Sequence, residues 1–487
     1  MNEFQPLLIG NRWLQGHGEP ITSVNPANGE VNAAVSAASI ADLNLAVGTA
    51  QQAYAASGWK ELLPHQRADK LHRAAQLLQN RADAIAGVVM RENGKTYREC
   101  RKQVIAAAGI FRYFGSICET LESAVTPPRG DYLTFTLHEP LGVVAAITPW
   151  NSPINTAAEK LAPALAAGNA VILKPSEVTP MAGLEMGKVL ADCGIPSGIV
   201  NVLPATAEVS AALVKHPGVA MISFTGGTTA GLSIAAAAAE RLVPTLLELG
   251  GKSPHIVFDD CDIERAAAGV AFGIFSSMGQ TCIAGSRLFV HRKVRDRVVD
   301  AVVSIARSLR LGLPDDDRTQ FGPLASFGHR DRVAHLVEDA RRDGATVLTG
   351  GERPQSEPYA KGAYYLPTVI DGVSNDARIC QTEVFGPVLC VLPFDDEDAL
   401  VQEANNSPYG LACGIWTEDF TKAWRVAQRI QAGTVWINTY RQNSATTPFG
   451  GYKLSGTGRE RGAQALRQYQ QVKSVFVSTS DQPMTLD

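Results

Sequence analysis

The chain has 487 residues, 45% of them hydrophobic and 19% charged. That length accommodates two or three domain-sized units, and that composition excludes a disordered chain. Its formal net charge of −4, from 44 Lys and Arg against 48 Asp and Glu, offers no basic footprint for nucleic acid and no polybasic membrane segment.

No apolar run reaches the roughly 18 residues of a membrane span. The first twenty residues lack a charged stretch followed by a long apolar run, so no leader peptide is expected. The eight cysteines form no C-x-x-C pair and have no histidine at zinc-finger spacing. Neither a metal site nor a disulfide framework is therefore expected, and the composition fits reduced thiols in a cytoplasmic protein.

Taken in chain order, residues 40–120 read as helices. Leu71, Ala74, Ala75 and Leu78 share one apolar face, with charged and polar residues between them. Pro127, Pro128 and Gly130 mark a break, and 132–138 (YLTFTLH) alternates as an exposed β-ribbon. From 141 onward, short apolar runs at 143–147, 170–173, 199–203, 220–224 and 243–247 alternate with amphipathic stretches. That alternation predicts a parallel sheet with helices on both faces. A second series follows Pro254, with apolar runs at 255–258, 287–291, 345–348, 388–392, 411–416 and 434–437. Two tandem α/β layers place a ligand between them, beyond the C-terminal ends of the strands. No internal repeat is visible.

Five segments carry candidate chemistry. Gly279-Gln280-Thr281-Cys282-Ile283-Ala284-Gly285 puts a thiol between glycines, after an amphipathic run at 263–275. An adjacent helix N-terminus would lower that thiol's pKa and activate it; the alternative is one more buried cysteine. Glu248 ends an apolar run and precedes Gly250 and Gly251. Held among apolar neighbours it becomes a general base near neutral pH; otherwise it is a strand-end acid facing water. Asn151, in Thr148-Pro149-Trp150-Asn151-Ser152-Pro153, can present an amide N–H to a developing oxyanion, or simply occupy a turn. Lys174 and Glu177 follow another strand and could grip ribose hydroxyls, the carboxylate opposing a 2′-phosphate. Finally, Gly226-Gly227-Thr228 opens a helix whose free N–H groups could hold a pyrophosphate.

Together these segments resemble the aldehyde dehydrogenase superfamily over nearly the whole chain. The resemblance extends to the run Lys160 through Asn169 (KLAPALAAGN), to Glu383-Val384-Phe385-Gly386-Pro387, and to Pro448 through Lys453 (PFGGYK) with Ser455-Gly456. It implies two tandem Rossmann-like α/β domains, cofactor-binding and catalytic, plus a small β oligomerisation arm. The implied cofactor domain is 1–124 with 141–250, the catalytic domain 251–455, and the arm 125–140 with 468–487.

The resemblance also implies the chemistry. Cys282 would attack an aldehyde, with the oxyanion held by Asn151 and the Cys282 backbone N–H. Glu248 would activate water to hydrolyse the resulting thioester. Lys160 and Glu460 would belong to the catalytic set, Glu460 as a proton relay. Lys174, Ser176 and Glu177 would hold the adenine ribose. Thr148, Pro149 and Trp150, with Gly226, Gly227 and Thr228, would lie along the pyrophosphate. Leu249, Glu383 and Phe385 would cradle the nicotinamide end. Glu177 favours NAD, with NADP possible. The alternatives are a CoA-acylating relative, against which Glu248 argues, and a non-catalytic binding protein.

Two departures from the family pattern bear on function. The segment 204–210 has no glycine, and Gly227 stands where a serine is common. Positions often filled by aromatics carry Ser152, Glu159, Ser276 and Asn443, and Arg441 falls in the loop over the channel mouth. Such a channel would strand polar groups against an apolar substrate, which points to a small polar aldehyde, one bearing a carboxylate or hydroxyl. Pairing of Arg441 with Glu159 or another acid is the alternative. A homodimer or homotetramer built through the arm is the expected assembly.

Overall fold

The computed structural model describes residues 4–483. Its first sheet has eight strands, in the order Arg12–Leu14, Leu7–Ile9, Val200–Val202, Ala170–Lys174, Val143–Ile147, Met221–Thr225, Thr245–Glu248 and Gly456–Thr457. The five strands from Val200–Val202 to Thr245–Glu248 are parallel, and the flanking pairs are antiparallel. Along the chain those five run third, second, first, fourth, fifth. The winding direction therefore reverses beside Val143–Ile147, which leaves a crevice at the C-terminal strand ends. Val143–Ile147 and Ala170–Lys174 are buried at every residue, which explains why they read as continuous apolar runs.

The second sheet orders Thr346–Thr349, Thr368–Asp371, Val388–Phe394, Arg287–His291, Pro254–Val257, Ala412–Trp416 and Thr434–Ile437. Only the first pair is antiparallel. Two separate apolar cores match the two sheets. Serine, threonine and aspartate caps start many of the helices, as at Ser39, Thr96, Asp262, Ser326 and Asp396.

A third sheet stands apart. Tyr132–Pro140 pairs antiparallel with Gln470–Ser478 along nine positions and with Val125–Thr126 on its other side. It contains the ribbon at 132–138 and the terminal strand expected from the sequence; residues 484–487 of the expected arm lie outside the described residues. After Gly456–Thr457 joins the first sheet, the helix Gly462–Gln468 packs against Pro153–Ala166, so the chain end returns to the first layer before reaching the arm.

Some elements were not anticipated. Gly18–Val24 and Val31–Ala37 form an antiparallel pair. Both are weak in β-branched and aromatic residues, although Asn25-Pro26-Ala27-Asn28-Gly29 between them is a turn signal. Thr368–Asp371 is short and follows a proline.

One buried amide ties these parts together. Asn169 accepts from the Gly142 N–H (2.9 Å) and donates to Ala164 O (3.1 Å) and Tyr469 O (2.9 Å). The start of a strand, the end of a helix and the entry to the arm thus share one side chain. Asn169→Ala leaves three buried backbone groups without that partner. At about 1–3 kcal/mol per unpaired group, partly offset by water entry, we expect a loss of roughly 2–4 kcal/mol. Urea unfolding monitored by circular dichroism measures it; an unchanged midpoint would show that the amide ties nothing together.

Candidate active site

A cavity of about 420 Å³ lies where the two sheets face each other, with Cys282, Glu248 and Asn151 in its wall. The helix Ile263–Phe275 ends before Cys282, and the short 3₁₀ segment Ser276–Gly279 leads into it. Ser277, Met278 and Gly279 are all left-handed, at φ of 54°, 54° and 69°. A side chain at 279 would place its Cβ 2.1 Å from Gly386 O, so only glycine fits.

That turn is held from several sides. Glu99, in the first turn of the helix Tyr97–Ile117, accepts from the Ser277 N–H and hydroxyl, each at 3.1 Å. Asn151 Nδ2 donates to Gln280 O at 3.0 Å. Gln280 Oε1 accepts from the Ala325 N–H (2.8 Å), and Tyr440 donates its hydroxyl to Ile283 O (2.9 Å).

No helix starts at Cys282, so the expectation of a dipole-lowered thiol is corrected. Burial pushes the thiol up to about 12, and the carboxylates of Glu383, Glu248 and Glu159 push the same way. Cys282 is neutral at rest and must lose its proton to a neighbour when it reacts. The Cys282 N–H makes no backbone hydrogen bond. Asn151 keeps a second amide N–H that makes no hydrogen bond among the described residues, and it lines the same cavity as Cys282.

Glu248 ends the strand Thr245–Glu248 and is 3% exposed, and neither carboxylate oxygen has a hydrogen-bond partner. Burial holds its carboxyl well above the usual range, and Glu460 adds to this. Adjacent residues of the helix Pro153–Ala166 split their tasks. Lys160, fully buried, donates to Glu460 Oε1 (2.7 Å) and Ser223 Oγ (3.3 Å). Ser223 in turn meets the Tyr469 hydroxyl at 3.0 Å. Glu159 instead takes Arg461 Nε at 2.8 Å and Asn155 Nδ2 at 2.9 Å. Around Glu248, then, Glu460 and Glu159 are each taken by a cation, while Glu248 has no hydrogen-bond partner and burial favours its protonated form against the pull of Lys160 and Arg459.

The remaining sequence candidates fall on two walls. Ser152, Glu159, Ser276, Arg441, Asn443 and Glu460 line the same cavity. Arg441 does not pair with Glu159; it reaches Ser277 Oγ at 3.4 Å. The cofactor candidates collect at the C-terminal strand ends of the first sheet. Thr148, Pro149 and Trp150 follow Val143–Ile147, and Ser176 and Glu177 follow Ala170–Lys174. Lys174 Nζ lies 3.8 Å from Glu177 Oε1. Gly226 follows Met221–Thr225, Leu249 follows Thr245–Glu248, and Gly227 caps the helix Thr228–Ala239.

From the second sheet comes the loop with Glu383 and Phe385. Glu383 accepts from the Gly251 N–H at 3.0 Å, and burial raises its carboxyl to about 7. Phe385 meets the Trp150 ring edge-on with centroids 5.2 Å apart. A nicotinamide dinucleotide fits this chemistry. The helix after Gly227 has no side-chain cap, so its first N–H groups are free for a pyrophosphate. No atom lies within 4 Å of a Cβ built at Gly227, and Glu177 offers a half-exposed carboxylate to a ribose diol.

Sequence reasoning missed Arg461, Lys95, Glu99 and the Ser223–Tyr469 pair. The sequence Glu460-Arg461 opposite Glu159-Lys160 was a usable signal, two complementary dipeptides. Glu99 was visible as a capping-box acid three residues after Thr96, but nothing local tied it to residue 277.

Comparison with known proteins agrees with this geometry. The sequence pattern of the aldehyde dehydrogenase family matches residues 13–475. An NAD⁺ complex of aldehyde dehydrogenase from Bacillus cereus is 39% identical, at a TM-score of 0.95 over 98% of this chain and 97% of that one. PnpE from Pseudomonas sp. WBC-3 is 38% identical, at a TM-score of 0.96 over 99% of each chain. Betaine aldehyde dehydrogenase from Staphylococcus aureus, a point mutant in complex with NAD⁺, is 34% identical, at a TM-score of 0.97 over 99% of each chain. The chain belongs to the aldehyde dehydrogenase family.

Proposed function

We propose that the protein oxidises a small polar aldehyde to its carboxylic acid with NAD⁺, by a hydrolytic route through Cys282. The observation that carries this reading is the meeting of a half-buried thiol and an unpartnered buried carboxyl, Glu248, on one cavity beside the Asn151 amide. Bound NAD⁺ supplies the hydride acceptor. Thr148 to Trp150, Lys174, Ser176, Glu177 and the 226–228 turn would hold it from one side, with Leu249, Glu383 and Phe385 at the nicotinamide end.

Cys282 Sγ bonds to the aldehyde carbon as its proton passes to ionised Glu248, which lines the same cavity. The Asn151 amide and the Cys282 N–H hold the oxyanion, each worth about 3 kcal/mol in a reaction of this type. After oxidation the acyl group remains on Cys282 as a thioester. Ionised Glu248 removes a proton from water, the resulting hydroxyl adds to the thioester carbon, and the C–S bond breaks to release the acid. Lys160 and Glu460 keep charge balanced behind Glu248 and give its proton a way out. A CoA-acylating route has no need of that base.

The cavity wall supports a polar substrate, with hydroxyl and amide groups at Ser152, Asn155, Ser276 and Asn443. For assembly, we propose a homodimer or homotetramer joined through the arm. Val472 and Phe476 of Gln470–Ser478 are more than half exposed, as an apolar face awaiting a second copy would be. A cytoplasmic location accords with eight free thiols and with no described helix long and apolar enough to cross a membrane.

Cys282→Ala is expected to abolish NADH formation from every aldehyde; surviving turnover would remove Cys282 from the mechanism. Glu248→Gln should slow deacylation by roughly 10²–10⁴-fold and also slow the first-turnover burst of NADH, because Glu248 takes the thiol proton as well. An unchanged steady-state rate, where deacylation limits turnover, would overturn the assignment of the base. Added CoA should neither raise turnover nor divert the free acid to an acyl-CoA.

The raised Glu248 carboxyl sets a pH dependence. The base works only when ionised, so deacylation is low while Glu248 is protonated and climbs as pH rises through its raised pKa. We expect that limb above the ordinary carboxylate range, and its loss in Glu248→Gln. Single-turnover thioester decay from pH 5 to 9 checks both.

A further inference from the structure

We propose that Lys95 and Arg441 form a carboxylate-binding recess in the wall of the Cys282 cavity, so that the substrate is an aldehyde that also carries a carboxylate. This rests on Cys282 being the nucleophile, and it goes beyond a merely polar substrate by assigning the ligand's charge and the residues that read it.

Charge accounting along the cavity leads there. Of the cations in its wall, Arg461 is satisfied by Glu159. Lys95, Lys102 and Arg441 form no ion pair among the described residues. Lys95 follows the left-handed Gly94 between two helices and is only 2% exposed, yet it borders the cavity. Arg441 donates one nitrogen to Ser277 Oγ; its other terminal nitrogen, Nη1, is buried without an acceptor. Its guanidinium lies over the Phe272 ring, 5.7 Å from the centroid, which orients the plane.

Among the described residues the only carboxylate at this end is Glu99, and it is committed elsewhere. One oxygen accepts from the Ser277 N–H and hydroxyl, the other from Thr96. A buried lysine and a half-buried arginine beside one occupied carboxylate leave an unmet positive charge. Such an arrangement is costly in the free protein and persists where a ligand brings the counter-ion. Burial pushes the Lys95 ammonium down to about 8, with Arg441 adding to the push and Glu99 opposing it. An anion between the two cations relieves that stress.

The unpartnered Nη1 of the guanidinium offers a donor to a carboxylate oxygen, and Lys95 supplies a point charge for the other. The opposite end, around Glu248, Glu460 and Glu159, carries the carboxyls. A substrate with an anionic tail is thereby oriented, tail toward Lys95 and Arg441, carbonyl toward Cys282.

The test uses the full-length protein with NAD⁺ and matched aldehydes differing in the tail: succinate semialdehyde against pentanal, glutarate semialdehyde against hexanal, and glyceraldehyde 3-phosphate against glyceraldehyde. The carboxylated member of at least one pair should lead in kcat/KM by about tenfold or more, mostly through KM, because the neutral analogue leaves buried donors unpaired. Arg441→Met and Lys95→Met should each shrink that ratio toward one, and Arg441→Lys should restore part of it. Glutarate should compete with the aldehyde in the native protein and lose that competition in both Met variants. Thermal melts identify any variant that fails to fold, and the glutarate competition in the native protein stands without them.

Oxidation of neutral aldehydes with no preference for carboxylated ones would overturn the recess and leave the dehydrogenase reading standing. A preference that survives both Met variants would overturn the residue assignment. A lead for the phosphate ester alone would replace carboxylate by phosphate. Absence of any NAD⁺ reduction by folded protein would sink both readings.

Discussion

The placement of Cys282 depends on a left-handed turn that no local sequence preference would keep. Two non-glycine residues, Ser277 and Met278, sit at positive φ, at a cost of about 1–3 kcal/mol each. The surroundings hold them there. Glu99 arrives from the first layer's helices, Asn151 from the strand end at 147, Ala325 and Tyr440 from the second layer. Each bond is ordinary, but all are met only when both layers are in place. The nucleophile is therefore positioned by the association of the two sheets, and the cavity exists because the turn spans their junction.

Electrostatics then divide the cavity. Around Glu248 the neighbouring carboxyls Glu460 and Glu159 are each bonded to a cation, and Glu248, which has no hydrogen-bond partner, titrates. Burial of Lys160 and Glu460 as a bonded pair keeps that cluster from becoming a source of instability. Across the cavity the excess is positive. Cys282 lies between, its thiol neutral because burial and the nearer carboxylates disfavour a thiolate. A reactive sulfur of this kind is quiet until substrate and base are both present.

Much of this was legible in the sequence, for physical reasons. Parallel strands buried on both faces are continuous apolar runs, so Val143–Ile147 and Ala170–Lys174 announced themselves. The Gly18–Val24 and Val31–Ala37 pair did not, because small residues and a proline blur the alternation. Within the site, Cys282, Glu248 and Asn151 stand in segments whose neighbours are constrained too, and a motif records that. Lys95 and Arg461 act through positions set only by tertiary packing. Lys95 lies in a turn between helices, 187 positions before Cys282, and nothing in its neighbourhood points to a cavity. The helix dipole expected to activate Cys282 failed for the same reason. The residues after it are short and glycine-bounded in sequence, but whether they start a helix is decided by contacts with Gly386 and Tyr440.

The two glycines after Glu248 join these arguments. A Cβ on Gly250 would stand 2.4 Å from the Glu383 carboxylate, and one on Gly251 would stand 2.4 Å from Cys282 O. The strand that delivers the carboxyl thus runs directly under the nucleophile's own backbone and under the acid that reaches over from the second sheet. Thirty-four residues separate Glu248 from Cys282 in the chain, yet Gly251, three residues after Glu248, runs against the Cys282 carbonyl. The Gly251 N–H, freed from any strand partner by that crossing, is what Glu383 accepts from. Those glycines are a packing requirement before they are a signature. Any side chain at either position would force apart the base, the nucleophile and the cofactor-side acid, three groups whose chemistry depends on sharing one small volume.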